Sequence, residues 1–192
     1  MHKSGLITFD CSNLMIRNRN LLTNALDITP AYLKNKNSDA GTVVDYRNWT
    51  LFLGRRFRSL KIYFVLRSYG IEGVQSHLRK LIDLSKRFES LVVGEEGFEL
   101  FVPRSLSLVV FRLIMKDSVD TESKEVLQDK LNRTFYRLIS EDHTIQLTST
   151  LLGSKFVIRI AVGSPRTTTF HVDKAWKTIL AVAIAAKKEI EL

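Results

Sequence analysis

Cysteine and proline are both scarce in this chain of 192 residues. The one cysteine, Cys11, excludes an intramolecular disulfide and a cysteine-rich metal site, and it is typical of a reducing compartment. With three prolines and no low-complexity tract, the chain is not expected to be disordered beyond its loops. His77, His143 and His171 lie far apart without metal-ligand spacing, so no metal site is predicted.

Long apolar runs are also missing. The longest apolar stretch near the C-terminus, residues 179–186, is far shorter than the roughly 20 residues that a membrane-spanning helix needs. The N-terminus shows no basic segment followed by a long apolar run, so no secretory signal is expected. These absences predict a protein without a membrane partner, and a cytoplasmic location is the default expectation.

The remaining composition is typical of a globular protein. Apolar residues form 45% of the chain and charged residues 26%, and the length suits one large domain or two small ones. The net charge of +9 permits attraction to nucleic acids, membrane surfaces or phosphorylated ligands. Because this charge is spread along most of the chain, a modestly basic soluble enzyme is the preferred interpretation.

Apolar periodicity predicts a regular order of elements in the later part of the chain. The predicted elements are a helix over residues 71–93, strands over 98–102 and 106–113 joined by a turn at 103–105, a helix over 125–139, strands over 145–151 and 156–162 joined at 152–154, and a helix over 169–188. This order indicates a compact α+β unit with a small, mostly antiparallel sheet covered by helices.

The earlier part of the chain is less regular. Residues 6–9 are predicted to form a short buried strand, and residues 27–40 a mobile surface loop without apolar period. Residues 46–69 are predicted to be mainly helical. Gly70 and Gly73 are expected to bracket a break before the next helix.

Several short motifs occur in a fixed order along the chain. They are His2-Lys3, Phe9-Asp10-Cys11-Ser12, Tyr32-Leu33-Lys34, Asp45-Tyr46-Arg47 and the run LGRRFRSLKIY at residues 53–63. Together they resemble the C-terminal part of a group II pyridoxal-phosphate (PLP) dependent amino-acid decarboxylase, of the aromatic-L-amino-acid, tyrosine and tryptophan decarboxylase family. The resemblance covers nearly this whole chain and only the C-terminal part of the family's.

The resemblance implies a fold class. It is the α/β, fold type I architecture of PLP-dependent transferases in incomplete form, namely the end of the large domain followed by an α+β small domain. Residues 1–60 would be the remnant of the large PLP-binding domain, with the cofactor lysine and the catalytic loop. Residues 61–192 would be the C-terminal small domain.

The resemblance also implies site residues. Lys3 matches the lysine that holds PLP as a Schiff base, which requires a deprotonated primary amine. His2 matches the residue before that lysine, near the cofactor phosphate. Tyr32 matches the tyrosine of the mobile catalytic loop, which closes over the site and helps protonate the carbon left after CO₂ departs. Phenylalanine there accompanies aldehyde synthesis in plant members, so Tyr32 implies ordinary decarboxylation of an aromatic L-amino acid.

The family's other cofactor contacts precede the lysine. They are the histidine that stacks on the PLP ring, the aspartate that pairs with the pyridine nitrogen, and the small residues that grip the phosphate. The expectation is therefore that this chain is weakly active or inactive alone, and that it forms a homodimer or associates with a full-length relative. Gly5 close behind Lys3 is expected to loosen the backbone there.

Two other functions stay open. A truncated or split-gene product could bind another decarboxylase chain without being catalytic. Alternatively, the basic residues of 55–61, with Trp49, Phe57 and Tyr63 nearby, could form a nucleic-acid patch. In the resembling family this stretch is structural and supports the dimer and the loop, so nucleic-acid binding is ranked last.

Overall fold

The computed structural model describes residues 2–28, 30–50, 52, 54, 56–115 and 121–190, with the backbone alone for residues 121–123. The chain separates into two compact units, Met1–Gly70 and Ile71–Leu192. The change of unit therefore falls at Gly70. The assignment of residues 1–60 and 61–192 to two family domains stays a prediction.

The first unit, Met1–Gly70, is built from short helical pieces. Its elements are helix α1 (Arg19–Leu26), a 3-10 helix (Ala31–Leu33), helix α2 (Lys36–Asp39), a second 3-10 helix (Tyr46–Trp49) and the first part of helix α3 (Ser59–Val93). The side-chain oxygens of Asn18 and Asn35 each accept a hydrogen bond from the N–H two residues further on, which caps α1 and α2. Local capping therefore sets where these short helices begin.

Three predictions for this unit are wrong in the described residues. No strand forms over residues 6–9, where Leu6 has φ 61°, a value that an extended strand does not allow. The segment 27–40 is not one loop, because Pro30, with its φ fixed at −64°, precedes a helical turn and α2 follows. The helix predicted over 46–69 is interrupted, because Thr50 is extended and α3 begins at Ser59; residues 51, 53 and 55 lie outside the described residues.

The second unit, Ile71–Leu192, has the predicted order of helix, two strands, helix, two strands and helix. After α3 come β1 (Phe98–Ser105), β2 (Leu108–Leu113), α4 (Thr121–Asp142), β3 (Thr148–Leu152), β4 (Lys155–Ala161) and α5 (Thr169–Glu189). The four strands form one antiparallel sheet in the order β1-β2-β4-β3. Gly70 adopts φ 65° and ψ 175° and interrupts α3, as predicted, whereas Gly73 lies within the helix.

The two hairpins turn in different ways. Gly153 and Ser154 both have positive φ and form a two-residue turn between β3 and β4, within the predicted junction at 152–154, while Leu152 belongs to β3. The first turn lies at residues 106–107 rather than at the predicted 103–105, and Pro103 is inside β1. Proline is tolerated there because β1 is an edge strand, and the pairing with β2 is irregular on both sides of Val102.

The hydrophobic core lies between the sheet and the helices of the second unit. Phe88 of α3 contacts Phe111 of β2 and Trp176 of α5 through edge-on ring pairs at 5.6 Å. Ser85 is fully buried, and its hydroxyl donates to the carbonyls of Ile82 and Leu106. The predicted inward face of the last helix is confirmed for Val172, Ala175, Trp176, Ile179 and Ala183, but Ile184 is exposed.

Candidate functional site

Lys3 lies in the turn that opens the first unit, and its side chain is exposed. The backbone N–H of His2 donates to the carbonyl of Cys11 at 3.3 Å, which closes residues 2–11 into a loop. The Nδ1 atom of the His2 ring lies 2.9 Å from the same carbonyl oxygen and 3.2 Å from the Cys11 amide nitrogen. Cys11 is buried, so this pairing anchors the base of the loop.

The far side of this loop is held by two basic residues at the start of α3. Arg58 donates from Nε and Nη2 to one carboxylate oxygen of Asp10, at 3.1 and 2.9 Å. Lys61 donates from Nζ to the carbonyls of residues 8, 9 and 10, at 3.3, 3.1 and 3.3 Å. The hydrogen bonds from Arg58 lower the pKa of the Asp10 carboxyl, and Asp10 in turn raises the pKa of Arg58.

Sequence reasoning did not identify this clamp, which we define as Asp10, Arg58 and Lys61. Two signals point to it. Asp10 and Arg58 both belong to the motifs that carry the family resemblance, and they are of opposite charge. Lys61 follows Arg58 by three residues, a spacing that places both side chains on one face of a helix.

Tyr32 lies in the 3-10 helix Ala31–Leu33, and its side chain is 80% exposed. The carbonyl of Leu33 accepts a hydrogen bond from Nη1 of Arg47 at 2.8 Å, and Arg47 also pairs with Asp45 at 3.0 Å. The Ser38 hydroxyl donates to the same carboxylate at 3.4 Å. The segment behind Tyr32 is therefore held by Arg47, while the phenol itself is open to solvent.

The structure does not bring the two predicted catalytic residues together. Within the described ranges, no hydrogen bond or ion pair joins Lys3 and Tyr32. A cavity of about 1230 Å³ lies beside the clamp, and another of about 310 Å³ lies between α1 and the second 3-10 helix. Neither of these two cavities is lined by Lys3 or Tyr32. Both residues are thus present, exposed and separate in this structure.

Other kinds of site receive no support from the described residues. Among them, no cluster of three or more histidine, cysteine, aspartate or glutamate side chains could hold a metal ion. None of the helices in the described ranges combines the length and apolar content needed to cross a bilayer.

Residues 1–114 match the pyridoxal-dependent decarboxylase conserved domain, so the chain belongs to the pyridoxal-dependent decarboxylase family. It is 45% identical to tryptophan decarboxylase 2 of Oryza sativa over 93% of this chain and 35% of that relative. It is 44% identical to tyrosine decarboxylase 2 of Narcissus pseudonarcissus over 92% of this chain and 34% of the relative. The chain thus spans about a third of the length of the curated relatives it matches.

Solved structures agree with this family and fold. Tryptophan decarboxylase of Oryza sativa with PLP and tryptamine aligns with a TM-score of 0.79 and 36% identity, over 88% of this chain and 34% of that chain. Tryptophan decarboxylase of Catharanthus roseus in complex with L-tryptophan aligns with a TM-score of 0.74 and 37% identity, over 89% and 34%. The predicted resemblance and the α/β fold class with its small antiparallel sheet are therefore confirmed.

Pyridoxal 5′-phosphate is the cofactor of this family. The residues of this chain fit it at the attachment point, because Lys3 offers a solvent-accessible primary amine on a loop that His2, Cys11 and the clamp hold in place. In the two cavities described above, however, the lining residues include no lysine. Lys3 therefore stays a predicted attachment point for PLP, and neither of these two cavities encloses it.

Proposed function

We propose that this chain takes part in the PLP-dependent decarboxylation of aromatic L-amino acids. The observation that carries the proposal is the match, over nine-tenths of the chain, to relatives named for tryptophan and tyrosine decarboxylation. Lys3 is the cofactor lysine in this proposal, His2 lies beside the cofactor phosphate, and Tyr32 is the proton donor. A cytoplasmic location and a homodimer belong to the same proposal.

The chemistry divides between the cofactor and the chain. PLP, when bound, supplies an electron-withdrawing ring that takes up the electron pair left when the bond to the carboxylate breaks. Lys3 supplies the Nζ amine that holds this group. Tyr32 supplies a phenolic proton for the carbon that has lost CO₂, provided that its loop closes and excludes water.

Exposure of both residues argues that the chain alone is weakly active or inactive. Tyr32 is 80% exposed and Lys3 is also exposed, so water reaches both groups. Catalysis of this kind depends on an enclosed site in which charges interact strongly and side reactions are prevented. The chain thus contributes Lys3 and Tyr32 to a site that a further polypeptide segment has to enclose.

The test uses the 192-residue chain mixed with PLP. We expect a visible absorption band, and borohydride reduction followed by peptide mass spectrometry should find pyridoxyl on Lys3; Lys3→Ala removes both signals. Release of CO₂ from tryptophan, tyrosine, DOPA or phenylalanine should be weak or absent. Rapid CO₂ release by the chain alone would refute the weak-activity part, and labelling that does not favour Lys3 would refute the assignment of the lysine.

Tyr32 can be tested in a preparation that is active. Among the relatives, a phenylacetaldehyde synthase of Arabidopsis thaliana is 43% identical to this chain, so product type differs among close relatives. Tyr32→Phe removes the phenolic proton and keeps the ring. In the presence of dissolved O₂ as the oxidant, we expect amine formation to fall and aldehyde formation to rise, with release of ammonia and hydrogen peroxide, as measured by product chromatography. Unchanged amine yield would exclude Tyr32 as the proton donor.

A second candidate function is association with another decarboxylase chain without catalysis. It is favoured by the large apolar side chains that the first unit leaves exposed, which exceed what isolated surface residues explain. Those at least half exposed include Phe9, Leu14, Met15, Leu21, Ile28, Phe52, Phe57, Tyr63, Phe64 and Tyr69. Co-purification with a full-length relative, with light scattering to give the mass, should detect the complex, whereas a monomer in the presence of the relative counts against it.

Nucleic-acid binding through residues 55–61 ranks last. Arg58 and Lys61 are engaged by Asp10 and by the carbonyls of residues 8–10, so their charges are not free to meet a phosphate backbone. The side chain of Arg56 is 81% exposed and lies 3.8 Å from Asp10. This function would be supported if the chain bound a labelled oligonucleotide and if the affinity fell steeply with added salt.

A further inference from the structure

The loop of residues 2–11 carries Lys3 but has little regular structure to hold it in place. Lys3 is followed within two residues by Gly5, and glycine leaves the backbone with unusual conformational freedom. A group attached to a lysine side chain can be oriented only if the lysine backbone is itself fixed, because small displacements are costly in catalysis. The order of this loop therefore has to come from contacts outside residues 3–6.

The clamp supplies such contacts. An ammonium group has three N–H donors, and Lys61 faces three successive carbonyls, of residues 8, 9 and 10, at 3.1–3.3 Å. Arg58 presents two donors to a single oxygen of Asp10, which fixes the direction of that carboxylate. These contacts hold the backbone and the side chain of the same short segment from one side.

A chain of contacts leads from the clamp back to Lys3. The Phe9 ring, whose carbonyl is bound by Lys61, meets the His2 ring edge-on with a centroid distance of 4.9 Å. The His2 backbone and ring both contact Cys11, and His2 directly precedes Lys3. Ile7 and Cys11 bury their side chains at 5% and 3% exposure. The loop is thus held on both sides of Lys3, while the amine of Lys3 remains accessible.

We propose that Arg58 and Lys61 are positioning residues that fix the backbone carrying Lys3, and thereby orient a group attached to its amine. This inference rests on the proposed role of Lys3. By this inference, the basic segment of residues 55–61 has a role in ordering the loop of residues 2–11 that carries Lys3. Because the side chains of Asp10 and Arg58 are 33% and 41% exposed, their pairing adds little to global stability, and its effect is local.

The test compares clamp variants with matched controls on the same helix. Arg58→Lys keeps the charge and removes the two-donor fork, and Lys61→Met keeps the stem and removes the donors. The controls are Arg87→Lys, which alters an equally exposed two-donor pair with Asp173, and Lys80→Met, which removes one bond to the carbonyl of Pro165. Circular dichroism first verifies that each variant of the full chain is folded.

Two readouts are recorded on the full chain. Amide hydrogen exchange of His2 and Cys11, whose N–H groups are bonded in the loop, should accelerate about tenfold in both clamp variants and remain unchanged in both controls. A tenfold change corresponds to about 1.4 kcal/mol in the free energy of local opening. Reductive trapping of PLP should also change in the clamp variants and in neither control. Two quantities describe it: the share of the trapped PLP that lies on Lys3, and the pH midpoint of the trapping.

The outcomes separate the two proposals. Unprotected exchange of the His2 and Cys11 amides in the wild type, or equal exchange in wild type and clamp variants, overturns the positioning role. Faster exchange without any change in trapping at Lys3 overturns it as well, since the clamp would then be only structural. Absence of preferential trapping at Lys3 in the wild type refutes the proposed function, and hydrogen exchange then decides whether the clamp orders the loop.

Discussion

The two units of this chain differ most in what they bury. The main hydrophobic cluster consists of residues between Leu81 and Ala186, all in the second unit. In the described part of the first unit, the buried apolar side chains are Ile7 and Cys11. Apolar burial is the main term that offsets the conformational entropy lost on folding. The second unit therefore has its own source of stability, and the first unit relies on local caps and the polar clamp.

This difference has a functional meaning. In the first unit, Lys3 and Tyr32, the residues proposed to carry the chemistry, are exposed, and so are many large apolar side chains. The second unit has the packed sheet and helices but none of the proposed site residues. The proposed site residues and the main hydrophobic core thus lie in different parts of the chain, so each can be perturbed separately.

The largest expected effect is a difference in folding between the two units when each is produced as a separate polypeptide. Residues 71–192 should fold cooperatively by themselves, whereas residues 1–70 should lack a cooperative transition, because a segment of about 70 residues with so little apolar burial is not expected to be stable. Circular dichroism and amide dispersion in NMR spectra would measure this. A cooperative thermal transition of residues 1–70 alone would contradict the comparison.

A core truncation should come next in magnitude. Phe88→Ala removes a fully buried ring that contacts Phe111 and Trp176, and it should lower the free energy of unfolding by about 3–5 kcal/mol. The matched truncation in the first unit is Phe57→Ala, at a ring that is 72% exposed, with an expected change within about 0.5 kcal/mol. Urea denaturation provides the comparison, and equal effects would show that the first unit is packed as well.

Loss of the buried side-chain amide of Asn132 should lower the free energy of unfolding by less than Phe88→Ala does. Asn132 is fully buried, accepts from the N–H of Leu113 and donates to its carbonyl and to the carbonyl of Gln128. Asn132→Leu leaves the N–H and the carbonyl of Leu113 without their side-chain partner and should cost about 1–3 kcal/mol in total. Ser140→Ala, which removes an exposed hydroxyl bonded to the carbonyl of Tyr136 on the same helix, is the control. An unchanged urea midpoint in the leucine variant would show that water or a neighbour replaces the amide.

The smallest expected effect is the pH response of the clamp. Because the folded-state pKa of Asp10 is lowered by Arg58, the pair stabilises the loop above the unfolded-state pKa, and this contribution is lost as the pH falls through the folded-state pKa. The NMR order parameters of the backbone at residues 8–10 should therefore decrease on acidification, and Asp10→Asn should show lower values without that dependence. The control Asp173→Asn should leave residues 8–10 unchanged.

Sequence patterns predicted the second unit well because its elements bury one face. The apolar spacing of residues 71–93 and 169–188 reflects real burial, so both helices were found close to their observed bounds. The first turn was misplaced because Pro103 was interpreted as a turn residue, whereas an edge strand tolerates it. Ser85 is buried although it is polar, and one of its two hydrogen-bond acceptors, the carbonyl of Leu106, is distant in sequence and could not be predicted from a local pattern.

Sequence patterns predicted the elements of the first unit poorly, for a physical reason. Residues 2–58 contain little apolar periodicity, and their structure is set by caps and by bonds between distant residues, such as Arg58 with Asp10. The positions of Lys3 and Tyr32 came from family resemblance and not from any local pattern. Their exposure could not be predicted, because exposure depends on what surrounds the chain and not on the residues themselves.

The two edges of the sheet have one further consequence, for how this protein behaves at high concentration. Pro103 and the irregular pairing of β1 leave that edge poorly suited to accept another strand. The opposite edge is β3, whose sequence TSTLL contains neither proline nor charge. Intermolecular sheet growth should therefore start at Thr148–Leu152, and a single lysine in place of Thr150 should suppress self-association more than any change in β1.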